Sequence, residues 1–311
     1  MVWLTSCEYK ELCYDHSHSV QVKVAFDWTL SPEAQADGMT VLFYNLDDPT
    51  TEPERYDYPG MEGGTATLYG GNWMAVAYNY DTETILYRDM QDPTTLEAYT
   101  RFSTLEESTQ ISTRSSMPVA RGTEDEPIIL EPDMLWGGAT AKFTLDGSNK
   151  EQVITIRPEK RVKEVTIDIH NVPNLQYTGQ FGGSLSGLSP SVLMQSGVIS
   201  NDCVIEAFTL NVVGESTLQM SFRIFGHCPH FKEDGDFNRH LLTIYAVLAD
   251  GQQWYYTTDV TEQMHDPVQN PDEYHVYLNI ENLPIPKPIV NGSGFQPTID
   301  GWQGEDITVG M

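Results

Sequence analysis

Basic residues are scarce in this chain. Lys and Arg total 17 against 45 Asp and Glu in 311 residues, a formal charge of −28. Such an excess repels nucleic-acid phosphates and anionic headgroups, so nucleic-acid partners and docking through a polybasic patch are both excluded. The acidic residues are spread through the chain rather than gathered in one tail, as on a solvated surface. Cysteine is sparse too: Cys7, Cys13, Cys203 and Cys228. They form no CxxC zinc pattern and are too few to staple a small domain. They read as buried thiols, with a Cys203–Cys228 bridge left open because sequence cannot place two Cα atoms within bridging distance. No apolar run approaches the roughly 20 residues of a membrane-spanning helix.

Catalytic motifs are missing as well. Gly183-Ser184-Leu185-Ser186-Gly187 imitates the nucleophile elbow G-x-S-x-G, but a leucine stands where the serine must be. It reads as a Gly/Ser-rich strand end. No Gly-rich phosphate loop and no G-x-G-x-x-G after a strand occurs. His16-Ser17-His18 and His227-Cys228-Pro229-His230 each offer part of a transition-metal ligand set, but neither reaches the four ligands of a structural zinc site. Both read as polar turns. Glu233-Asp234-Gly235-Asp236 lacks the ligand spacing of a calcium loop. With 45 acidic residues some pair of carboxylates must lie at glycosidase distance, so their abundance carries no signal. Trp73, Trp136, Trp254 and Tyr255-Tyr256 sit at strand spacing and read as core, with sugar binding on an exposed face as the alternative. A non-enzyme without cofactor or metal is the expectation.

What the chain does hold is β pattern. Val20–Trp28 alternates apolar and polar residues with the period of a half-buried strand. Ser31-Pro32 reads as the start of a short helical turn. Strands are predicted at 39–44, 55–58, 65–68 and 73–78, the last two joined by a hairpin-type turn at Tyr69-Gly70-Gly71-Asn72. Further strands are predicted at 96–102, 128–130, 139–145 and 152–156, with 106–126 as a long polar loop. Arg157-Pro158-Glu159-Lys160 separates two strong strands and marks the boundary. Beyond it, strands are predicted at 162–169, 180–185, 204–210, 217–225, 241–248, 253–258, 274–280 and 307–309. The one helical stretch is 259–264, and 283–288 must be extended because of its prolines. Short strands recurring about every ten residues between turn residues indicate an all-β sandwich class. The organisation expected is a tether at 1–18, one sandwich at 19–157 and a second at 158–311.

The first residues carry a different kind of signal. Leu4-Thr5-Ser6-Cys7 has the pattern at which bacterial lipoprotein signal peptides are cut, leaving cysteine as the lipidated N-terminus. Only six residues precede Cys7, with no basic or full apolar region, so the signal is incomplete. Either the start lies further upstream, or Cys7 is an unmodified N-terminal cysteine.

Leu12-Cys13-Tyr14-Asp15-His16-Ser17-His18 followed by the Val20–Trp28 strand resembles the N-terminus of fimbrillin-like lipoproteins of anaerobic Gram-negative bacteria. That class includes the fimbrillin-associated anchors and a related domain family of unknown function. Val172-Pro173-Asn174-Leu175 and Leu185–Pro190 are similar to the family's second domain. So are Asp259–Gln263, Leu283-Pro284-Ile285-Pro286 and Gly294-Phe295-Gln296-Pro297. The resemblance implies two tandem transthyretin-like β-sandwiches, lipid on Cys7 and residence in the outer membrane, facing the cell surface. It implies pilus subunits as partners, through addition of a strand to an open sheet edge. Family stalk subunits expose a protease site after a basic residue, and neither Arg114 nor Arg121 matches it. The expected function is a pilus anchor or accessory subunit; the alternative is a surface lipoprotein binding a glycan or host ligand through exposed aromatics.

Overall fold

The computed structural model describes residues 19–146, 151–229, 238–288 and 301–307. The first half of the chain supplies β1 (Ser19–Phe26), β2 (Gly38–Asn45), β3 (Glu54–Pro59), β4 (Gly63–Tyr69), β5 (Gly71–Asn79), β6 (Ile85–Arg88) and β7 (Glu97–Thr100). A one-turn helix α1 (Leu105–Thr109) opens the long loop. Then come β8 (Ile128–Ile129), β9 (Trp136–Ala139), β10 (Phe143–Leu145), β11 (Glu151–Ile156) and β12 (Glu159–Lys160). The second half supplies β13 (Lys163–His170), β14 (Thr178–Leu188), β15 (Ser191–Leu193), β16 (Val204–Thr209), β17 (Asn211–Val213) and β18 (Thr217–Ile224). It ends with β19 (Leu241–Leu248), β20 (Gln253–Asp259), α2 (Thr261–His265), β21 (His275–Glu281) and β22 (Trp302–Asp306). The all-β class is as the spacing predicts.

In the first sandwich a sheet ordered β11-β1-β4 packs on one ordered β12-β9-β5-β2-β3. Val20, Val22 and Val24 of β1 point inward against Met39, Val41 and Phe43 of β2 and Ala75 and Ala77 of β5. Complete burial of each valine is worth roughly 2 kcal/mol. The predicted hairpin between 65–68 and 73–78 is not formed. β4 pairs with β1 and β5 pairs with β2, so the turn at 69–72 passes the chain from one sheet to the other. Nor does helix begin at Ser31-Pro32. A 3₁₀ turn at Trp28–Leu30 precedes it, because Asp27 accepts from the Thr29 amide and so claims the capping role. Ser31 closes that turn, with its hydroxyl donated to the Pro158 carbonyl.

β2 and β5 are buried on both faces. Leu42, Tyr44, Val76 and Tyr78 face a small third sheet, ordered β15-β7-β6, through a second core with Leu96, Val192 and Phe225. In the second sandwich β17-β18-β13-β21 packs on β22-β20-β19-β14-β16-β8. Val165, Ile167 and Ile169 interleave with Leu185, Phe208, Leu242 and Ile244. Short strands cross between the halves: β8 joins β16, and β15 joins β7.

The polar loop after β7 is partly buried. Ile111 and Met117 cover the outer face of the large second sheet around Tyr245. The Tyr245 hydroxyl donates to the Pro118 carbonyl at 2.7 Å. Tyr245→Phe removes that bond and the contact with the Ser184 hydroxyl at 3.1 Å, and is expected to cost about 1–3 kcal/mol in urea denaturation. Amide exchange should quicken across 111–123; unchanged exchange there would show that the hydroxyl does not hold the loop.

Candidate functional site

Cys7, Cys13, His16, His18, His230 and the acidic turn at 233–236 lie outside the described residues. The remaining sequence candidates can be placed. Trp73, Trp136 and Tyr256 are core residues, and Trp254 stacks on Tyr256 with ring centroids 6.3 Å apart. Trp254 and Tyr255 are half-buried, so of the sequence candidates these two alone keep part of their rings at the surface. Arg114 and Arg121 are exposed on the loop that covers Tyr245.

A protein that joins others by strand addition needs an accessible sheet edge, so the edges are the first candidate site. β1 is not available as an edge, being bonded to β11 on one side, in parallel, and to β4 on the other. β21 ends the second sandwich's smaller sheet, but side chains have closed it. The Tyr277 amide donates to Asn270 Oδ1 at 2.7 Å and the Asn279 amide to Gln263 Oε1 at 2.9 Å. Gln263 also donates to the Asn279 carbonyl. These amides stand in for a neighbouring strand, a common protection of exposed edges. The edge of β4 is sealed in the same way by Tyr56, whose hydroxyl accepts from the Thr67 amide and donates to the Thr67 carbonyl. β11 is different. It pairs with β1 alone in its sheet, and among the described residues no strand lies on its outer side. Val153 in its middle is 63% exposed. A six-residue strand with an exposed apolar residue at its centre is an edge that can accept another strand.

A second cluster was not legible as a unit in the sequence. β14 bulges between Leu185 and Leu188, inside the Gly/Ser run that imitates a nucleophile elbow. The bulge serves to seat a histidine. Ser186 accepts the Leu241 amide on its hydroxyl, and its carbonyl lies 3.3 Å from His240 Nδ1. Gly187, at φ +74°, has no side chain because a Cβ would lie 2.6 Å from that same ring nitrogen. His227 bridges to Leu188 just after β18, and His265 ends α2. The three rings converge, with centroids 4.7 to 5.5 Å apart. Burial, then the neighbouring imidazoles, push His227 down to about 3. Burial and His265 push His240 down to about 4. All but the first of these residues lie far from the His227-Cys228-Pro229-His230 turn in sequence. Cys228 turns away from the cluster as a thiol, its sulfur 3.0 Å from that of Cys203.

A buried acid completes the survey. Glu206 on β16 is 1% exposed, and neither carboxylate oxygen has a hydrogen-bond partner. Burial holds its carboxyl well above the usual range, and the charge of Glu131 adds to the effect while Arg223 opposes it. A raised carboxyl beside a second one is the composition of an acid–base pair, but Glu206 is sealed from solvent.

A family model described as a domain of unknown function (DUF5119) matches residues 6–209. Among curated proteins, the chain is 24% identical over 189 residues to a candidate fimbrium anchoring subunit, Fim4B, of Bacteroides ovatus. The alignment covers 61% of this chain and 51% of that protein, so the chain spans about half the length of the curated relative it matches. A crystal structure of a candidate adhesin from Bacteroides ovatus aligns with a TM-score of 0.57 at 20% identity, covering 92% of this chain and all of that one. The fimbrial anchor protein Mfa2 from Porphyromonas gingivalis aligns over 85% of this chain and 90% of its own, at 11% identity and a TM-score of 0.49.

The buried acid makes a test of the fold around it. Because Glu206 binds its proton more tightly folded than unfolded, folding takes up a proton above the unfolded carboxyl value of about 4.3. Its contribution is fully present below that pH and is lost as pH rises towards the folded value. Glu206→Gln should therefore remove part of the fall in stability between pH 4 and 8 seen by denaturant unfolding. Parallel pH profiles for the two proteins would mean the carboxyl is not held protonated.

Proposed function

The chain belongs to the DUF5119 family, and on that premise we propose that it is a non-catalytic surface protein of fimbriae, an anchor or accessory subunit. In this reading Cys7 carries the lipid that holds it in the outer membrane, facing outward, and β11 offers the edge on which a fimbrial subunit adds a strand. The observation that carries the reading is the contrast between edges. β4 and β21 are closed by side chains, whereas β11 is left with an exposed apolar residue at its centre. In the smaller sheet of the first sandwich one edge is sealed and the other is not, which directs pairing to β11.

The position of β1 fits the anchoring half of the proposal. It is the first described strand after Cys7, and it lies at the centre of its sheet rather than at a margin. A pull on the tether loads β1 along its length, against two rows of backbone hydrogen bonds and three buried valines at once. Shearing such a strand requires those contacts to fail together, which suits a protein that must hold under tension. The alignment with Fim4B, a candidate fimbrium anchoring subunit, supports the same assignment. The high negative charge agrees with attachment by acyl chain rather than by electrostatic attraction to headgroups.

One experiment separates the two halves. The chain is expressed with its native signal in a fimbriated host, as wild type, Cys7→Ala and Val153→Lys. Cys7→Ala should move from the membrane fraction to the soluble one. Val153→Lys alters an exposed position, where substitutions usually change stability by less than about 0.5 kcal/mol. It should stay in the membrane fraction and lose at least tenfold in cross-linking to fimbrial subunits. Unchanged fractionation of Cys7→Ala refutes the lipid anchor, and unchanged cross-linking of Val153→Lys refutes the β11 edge.

A further inference from the structure

The converging histidines have no part in anchoring or strand addition. We propose that His227, His240 and His265 bind one Zn²⁺ ion, independently of the fimbrial role. One ring nitrogen from each residue lies within 4.8 Å of the others. His240 Nε2 and His265 Nε2 are 3.0 Å apart. Two imidazole ligands on a tetrahedral zinc, at bonds of about 2.0–2.1 Å, are about 3.3 Å apart. The facing pair is thus already near ligand spacing, and His227 is the third ligand that closes on the ion.

The surroundings point the same way. The Ser186 carbonyl beside His240 Nδ1 is the usual orienting partner of a metal-bound histidine, since it fixes the proton on one nitrogen and leaves the other as a lone pair. A purely structural cluster accounts less well for the atoms. His227 Nδ1 is buried without a hydrogen-bond partner, which a bound ion would supply. The ring pair His240–His265 satisfies its own facing nitrogens and leaves the third ring unexplained. Three imidazoles without a carboxylate select a borderline first-row ion such as zinc over calcium or magnesium. His265 also lines a cleft of about 600 Å³ with Glu262, Asp266 and Gln269, from which a water would supply the fourth ligand.

The geometry also says what the ion would join. His227 follows β18, His240 precedes β19, and His265 ends α2, so one ion ties three segments of the second sandwich to the bulge in β14. Gln263, which closes the edge of β21, stands on the same helical turn as His265.

The test uses the full chain, with no polyhistidine tag, freed of metal by chelator. Zn²⁺ titration in a calorimeter should show one site per chain, and added zinc should raise the melting temperature until EDTA reverses it. Co²⁺ in place of zinc should give the intense visible bands of a tetrahedral centre. His240 is wholly buried and its variants risk misfolding, so His265→Gln at the partly exposed end of α2 is the informative change. It should weaken zinc binding by at least roughly 100-fold while the protein melts cooperatively without metal. His275→Gln, a histidine on β21 outside the cluster, should bind zinc as wild type does. Absence of one-to-one binding, or a His265→Gln protein that binds as tightly as wild type, overturns the proposal.

Discussion

The insertion of β1 between β4 and β11 is the contact on which the rest of the first sandwich depends. Its valines supply one side of the core, its amides and carbonyls bond two strands that are remote in sequence, and its far end leads to the N-terminal segment. Without β1, β11 and β4 would lie apart with unpaired edges, and Met39, Val41 and Phe43 would face water. A strand so placed is costly to extract, because every interaction it makes is lost in one step. That is the mechanical property an anchor needs. The open flank of β11 is a consequence of the same arrangement, since β1 occupies one side of that strand and nothing described occupies the other.

The second sandwich is organised by a local irregularity. The bulge in β14 shifts the register of an eleven-residue strand and turns Ser186 and Gly187 toward the start of β19. Bulges of this kind re-aim side chains and recur beside functional sites. Here the bulge fixes His240 and brings it to His227 and His265. The histidine cluster thus lies in the second sandwich, apart from the tether and the β11 edge of the proposed function.

Much of the fold was legible because alternation with period two survives wherever one face is buried, as in β1, β11 and β21. The errors have physical causes. The turn at Tyr69–Asn72 has hairpin chemistry, yet β4 and β5 part into different sheets because pairing is decided by β1 and β2, which are far away in sequence. Ser31-Pro32 has the residues of a helix start, but Asp27 caps first. The predicted strand at 139–145 is two strands on either side of a break, β9 and β10. The candidate sites were less legible. His227 stood out only for its neighbours in the chain, while His240 and His265 lie in stretches whose pattern is that of a strand start and a helix end. Nothing in spacing joins residues 13 and 25 positions apart when the link is a bulge in a third strand. The open edge of β11 was equally hidden, since an edge is defined by which strands fail to arrive.

The proposed anchor takes force into the fold through a lipid at Cys7, and the chemical state of that residue is the most direct check. The protein should be isolated from the outer membrane of its own host and its N-terminal peptide weighed by mass spectrometry. A peptide beginning at Cys7 and carrying two or three acyl chains is the result expected. An unacylated Cys7, or a mature chain that begins elsewhere, would contradict the account.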